Sequence, residues 1–164
     1  MNDPLTAHLQ RMLAYETWAN ERAIASIETV PPELRTRPAY LRAVQLPPHI
    51  MLARMVWLLR IRATPYESPR DWFPSWPLDE TRRQLSTVDS QWRDFLASLH
   101  DPDLTAAVHY TSAEGARYQS STWDICTHVF NHATYHRGQV ARLVAESGGQ
   151  RAATDLIVFT RTQQ

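Results

Sequence analysis

The chain of 164 residues has no lysine, a single cysteine and only four glycines. Each shortage excludes something. All 17 basic residues are arginine and 17 residues are acidic, so the formal net charge is zero. The arginines are scattered, which reads as a composition bias of the genome. With no basic stripe, neither nucleic acid nor an acidic membrane surface is drawn to the chain by bulk electrostatics. The lone cysteine, Cys126, rules out an intramolecular disulfide and fits a reducing cytoplasm. No apolar run approaches the ~20 residues that a membrane-spanning helix needs. The longest, "MVWLLRI", follows Arg54 directly and contains Arg60. The opening "MNDPLTAHLQ" has neither the basic run nor the apolar core of a signal peptide. The expectation is a cytoplasmic protein with one domain over residues 1–164, long enough to bury roughly two-thirds of its unfolded surface.

Few glycines and long apolar-periodic stretches favour helices over sheets. A first helix is expected from about Pro4 to about Thr29, capped by Asp3 and stopped by Pro31-Pro32. Leu5, Leu9, Met12, Ala19, Ala23 and Ile27 form its apolar stripe. Glu16 falls in the middle of that stripe and Asn20 on its edge, and polar groups facing inward need partners. The second helix, His49 to Ile61, is apolar almost all round. Pro47 and Pro48 mark either its first turn or a kink in a longer helix. A third helix follows from about Leu78 to Leu99, with Leu85, Val88, Trp92, Phe95, Leu96 and Leu99 at helical spacing. Short β-tolerant runs around Glu114-Gly115 read as a hairpin or an irregular excursion. Ser121 or Thr122 caps a fourth helix that reaches about Ser147, where Gly148-Gly149 stops it. The tail "DLIVFT" packs back as a final turn or a strand. Four long helices with one long crossover describe an all-α four-helix bundle.

Histidine is scarce too, with seven residues, yet three of them share one stripe of the fourth helix. At ~100° per residue, His128, His132 and His136 lie within about 80° of one another. Ile125, Gln139 and Leu143 occupy the same sector, so the histidines project from a face that otherwise reads as buried. Two histidines at i and i+4 can place ring nitrogens on one ion. His49 heads an apolar helix, where a histidine finds few partners, and it is the candidate third ligand. Three protein ligands with an open position are common at catalytic zinc. His8, His100 and His109 fall in a first turn, at a helix end and in a loop. No His-Glu-x-x-His is present, so a zincin protease is unsupported.

Four stretches together resemble the DinB/YfiT-like family of metal-binding four-helix bundles, over nearly the whole chain. They are "YETWANERAIASI", "HIMLARMVWLLRI", "HVFNHATYHRGQVARLV" and "TDLIVF". The most specific is the His-x3-His-Arg-Gly-Gln run of the third. The resemblance implies an up-down-down-up bundle and one divalent metal ion held by His49, His132 and His136. His128 matches a pocket residue beside the ligands. The ion is zinc or nickel ahead of iron, manganese or copper, since imidazoles suit several metals. Three departures stand out. Pro48 replaces the usual Asn before the second-helix histidine, Arg54 replaces an Asp five residues after it, and Glu16 replaces an Asn. Glu16 is then a fourth ligand, an acceptor orienting a ligand ring, a general base, or a carboxylate paired with an arginine.

The function this implies is transfer of a low-molecular-weight thiol to an electrophile. The alternatives are hydrolysis by metal-bound water and a non-enzymatic, stress-linked protein with a structural metal. Glu16, Asn20, His128 and Gln139 are the candidates for catalytic or supporting roles. The expected partners are a small-molecule substrate and a second copy of the chain, packed through Phe130, Ala133, Ala141 and Val144, or else that face is intramolecular core. No nucleic acid and no membrane are expected. Cys126 faces away from the histidines and reads as a small buried hydrophobe. Arg137 points away from them, toward an ion pair or a subunit contact. Gly138 in mid-helix suggests close approach by another helix. The "DWFPSWP" loop either roofs the pocket or plugs the helix ends.

Overall fold

The computed structural model describes residues 3–112 and 114–161. Four long helices carry it: α1 (Pro4–Glu28), α2 (Pro38–Ile61), α3 (Leu78–Ala97) and α4 (Thr122–Glu146). A hairpin of β1 (Ala107–Thr111) and β2 (Arg117–Ser121) precedes α4, and a short α5 (Leu156–Thr160) closes the chain. α1 and α2 each pack against both α3 and α4. The ring order is therefore α1, α3, α2, α4, and it sets α2 beside α4.

α1 begins at Pro4, whose missing N–H costs nothing in a first turn. Asp3 does not cap it. The Asp3 carboxylate pairs with His100 at 2.8 Å, and the cap comes from Asp101, which accepts from the backbone N–H of Leu5 (3.2 Å) and Thr6 (2.9 Å). A residue distant in sequence thus supplies what the local cap signal promised. Leu9, Leu13, Ala19, Ala23, Ile24 and Ile27 are buried, whereas Leu5 is exposed.

α2 starts at Pro38, eleven residues before His49, so Pro47 and Pro48 lie inside a longer helix. Neither can donate to the carbonyl four residues back. Both are buried, and apolar packing around Ala43, Leu46 and Ile50 offsets the missing bonds. In α3 the fully buried Trp92 donates through Nε1 to the Arg54 carbonyl at 3.1 Å.

The Glu114-Gly115 segment is the turn of an antiparallel hairpin pairing Ala107 with Ser121 and Thr111 with Arg117. Gly115 has φ +86°, which a Cβ would oppose. His109 sits in β1 rather than in a loop. Ser121 caps α4 by accepting from the Asp124 N–H at 3.0 Å. Gly149 must be glycine for a different reason: a Cβ there would meet Val30 at 2.7 Å. The tail then turns back, and Phe159 in α5 packs on Tyr15 (5.8 Å) and Trp18 (5.6 Å) of α1.

Besides a small cluster of Ile24, Met51 and Leu85, the apolar core is in two parts. One gathers Leu13, Leu58, Trp92, Leu96, Val129 and Phe130. The other gathers Ala23, Ile27, Leu46, Val140 and Val144. Along α1, α2 and α4 the polar residues fall between them. Each helix contributes one buried carboxylate or guanidinium to this middle layer: Glu16, Asp89, Arg54 and Arg137. Phe130, Ala133 and Val144 are buried within this single chain. Gly138 is exposed, and a Cβ there would meet nothing within 4 Å, so no helix approaches it closely.

Candidate metal centre

The ring order brings His49 on α2 opposite His132 and His136 on α4. Their Nε2 atoms converge: His49 to His132 is 3.2 Å and His136 to His132 is 3.1 Å. One ligand atom from each of the three lies within 4.8 Å of the others. Bonds of about 2.0–2.1 Å in a tetrahedral site separate the donors by about 3.3 Å, so the set fits one ion. No carboxylate joins this cluster among the described residues.

Two neighbours aim His49. Its Nδ1 lies 2.9 Å from the carbonyl oxygen of Trp72. A carbonyl only accepts, so Nδ1 carries the proton and Nε2 presents its lone pair to the cluster. Phe73 stacks on the imidazole at 4.1 Å with planes 17° apart. The Arg42 guanidinium covers the other face of Phe73, 4.0 Å from the ring centroid. The loop is held by Asp71, whose carboxylate accepts from the Phe73 N–H at 2.8 Å. The "DWFPSWP" loop therefore contacts the site.

The environment keeps all three imidazoles neutral. Burial is the largest influence, and it pushes His132 and His136 down to about 4. His49 is also lowered, first by burial. Neutral imidazole is the form that binds a metal. Gln139 opposes the depression at His136. Nevertheless no hydrogen bond of ordinary geometry reaches the buried His136 Nδ1.

His128 stays outside the converging set. It is exposed, its ring centroid is 5.6 Å from that of His132, and it meets Trp57 edge-on at 5.5 Å. Glu16 and Asn20 are engaged elsewhere. Both Glu16 oxygens accept from Arg137 at 2.7 Å, and Asn20 Oδ1 accepts from the same guanidinium at 3.1 Å. Tyr15 and Thr134 complete its partners. Burial raises the Glu16 pKa and the guanidinium opposes it. Of the four readings of Glu16, pairing with an arginine is the one the structure shows: both oxygens accept from Arg137, and Glu16 is not part of the histidine cluster. Arg54 is likewise paired, with Asp89 at 2.6 Å. Cys126 is buried away from the cluster, and burial pushes its thiol up to about 12.

The sequence offered a signal for the Arg137 pairing, since Glu16 and Asn20 faced inward without partners. It offered none for Trp72, because every residue carries a carbonyl. Arg42 and Phe73 were missed because stacking across a loop leaves no periodic trace.

Fold and site together define a helical-bundle protein with a three-imidazole cluster able to hold a metal ion. A family model described as the DinB family matches residues 1–164, and the chain belongs to that family. A crystal structure of a DinB-like protein from Bacillus cereus superposes with a TM-score of 0.61 at 18% identity, covering 87% of this chain and 94% of that one. Comparison with curated proteins finds no match.

Proposed function

We infer that the chain is a metal-dependent enzyme that holds one divalent ion on His49, His132 and His136 and transfers a low-molecular-weight thiol to an electrophile. The observation that carries this reading is the convergence of three neutral Nε2 atoms with no acidic partner among the described residues. When bound, the ion supplies Lewis acidity that favours the thiolate of a coordinated thiol. The chain's own thiol is buried with a high pKa, so the sulfur nucleophile has to come from outside. Transfer forms a carbon–sulfur bond as the bond from that carbon to its leaving group breaks, the leaving group takes the electron pair, and the thiol proton passes to it or to solvent. Of the candidate supporting residues, His128 and Gln139 remain on the histidine side of α4, whereas Glu16 and Asn20 are held by Arg137.

Metal content of the parent and of His49→Ala, His132→Ala and His136→Ala tests the first step. Unchanged content in all three variants sinks it. A screen of electrophiles with and without added thiol tests the second, and turnover of an ester or amide without thiol would assign hydrolysis instead. One observation supports a structural metal as second reading: the three ligands join two helices, so an ion would cross-link α2 to α4. That reading expects chelation to lower the melting temperature strongly, with no thiol-dependent turnover.

A further inference from the structure

Arg60 lies on the same stripe of α2 as His49, eleven residues on, or about three helical turns. It differs from the other well-packed arginines. Arg54 and Arg137 each pair with a carboxylate, whereas no ion pair includes Arg60 among the described residues. Its Nε donates to the Tyr66 hydroxyl at 2.8 Å and its Nη2 to the Thr111 carbonyl at 3.2 Å, while Nη1 has no protein acceptor among the described residues. Three rings frame the guanidinium: Trp57 at 4.6 Å, Tyr110 at 5.2 Å and Tyr66 at 5.8 Å. The group is thus fixed, half-buried and positively charged, with one N–H edge left over.

It faces a groove of about 480 Å³ between the segment after α2 and the hairpin. Arg60, Thr64, Tyr66, Ser68, His109 and Thr111 are among the lining side chains, and no carboxylate is among the described residues that line it. A chain of ring contacts connects Arg60 to the histidine cluster. Trp57 lies under Arg60, His128 meets Trp57 at 5.5 Å, and His132 follows at 5.6 Å.

We propose that this groove is the anion-binding arm of the histidine site, in which Arg60 receives a carboxylate at the far end of the substrate. The guanidinium fork suits a carboxylate, and its own contacts already hold it in place. Tyr110 lines the groove, and Trp57, packed edge-on against both Tyr110 (5.0 Å) and His128 (5.5 Å), stands between it and the histidines. The substrate class is then an elongated acid whose reacting end lies at the histidines. The proposal rests on the reading of the cluster as a reactive metal centre, and its test separates the two.

In the metal-free protein, nitrogen-15 NMR follows the Arg60 Nε–H signal, assigned by its loss in Arg60→Gln. Hexanoate should shift that signal and hexanol should not. In the cobalt-loaded protein, the sulfur-to-cobalt absorption band reads binding of mercapto-acids from propionate to octanoate and of the matching mercapto-alcohols. The longer acids should bind about tenfold tighter than their alcohols, as expected of one charge-assisted pair. Arg60→Gln should abolish that preference and leave alcohol binding unchanged, and Arg60→Lys should retain part of it. An Arg60 signal indifferent to hexanoate overturns the proposal. So does an acid preference that survives Arg60→Gln or is the same at every chain length. If no thiol gives the band, the metal reading fails, and the NMR titration still decides the groove.

Discussion

The Nδ1–H of His49 donates to the carbonyl of Trp72 at 2.9 Å, and this bond fixes which ring nitrogen faces His132. The loop after α2 therefore takes part in the site although none of its side chains belongs to the histidine set. Phe73, stacked on the same imidazole, holds the ring in that plane.

Phe73→Ala should weaken metal binding by about tenfold without unfolding the bundle, the lower end of what loss of a ligand-orienting neighbour costs. Chelator competition for zinc, with circular dichroism as a fold control, measures this. Affinity equal to that of the parent would remove the loop from the site.

The Glu16–Arg137 pair is fully buried, with side-chain exposures of 0% and 1%. Removing one partner leaves an uncompensated charge in the core. Arg137→Met alone should cost about 3–5 kcal/mol, whereas replacing both with apolar residues of similar volume should recover most of that loss. Urea unfolding of Arg137→Met and of the Glu16→Leu/Arg137→Met double variant checks it. Additive losses would contradict the account.

The depressed histidines couple stability to pH. In the unfolded chain they titrate near 6.5, and in the fold His132 and His136 titrate at about 4. The unfolded state therefore binds more protons as the solution is acidified. The stability they contribute is fully present above about 6.5 and is lost as pH falls toward about 4, at up to about 1.4 kcal/mol per pH unit for each histidine. Denaturation of the metal-free protein across this range should show the slope, and a variant with both residues replaced by Gln should show much less of it. Metal release should follow the same direction, because protons compete for the same nitrogens.

Gly138 occupies a helical position that is exposed and has no neighbour for an added Cβ. Gly138→Ala should stabilise the chain by about 1 kcal/mol, since alanine loses less backbone freedom in a helix. Thermal unfolding tests this. A loss of stability, or a change in oligomeric state by light scattering, would show that something outside the single chain packs against this spot.

The four helices were legible in the sequence because their apolar positions recur at the helical period and their ends carry proline, serine or glycine. Boundaries were legible where the signal is local: Ser121 caps α4 through its own hydroxyl. They were not where the partner is remote. Asp3 has the right residue type at the right place, but its carboxylate goes to His100 and Asp101 supplies the cap. The start of α2 was hidden because two prolines read as a beginning, and only burial in the assembled core tolerates them in mid-helix.

By itself the sequence determined the family, the bundle, and the stripe that sets His132 and His136 on one side of α4. Those follow from periodicity and motif, which are properties of neighbours along the chain. Tertiary structure alone decided that His49 meets them at 3.2 Å, that Trp72 fixes its tautomer, and that Glu16 is taken by Arg137. The reason is physical. Each of these contacts joins groups on different elements, and their distances are set by how whole helices and one loop pack, which no local pattern encodes.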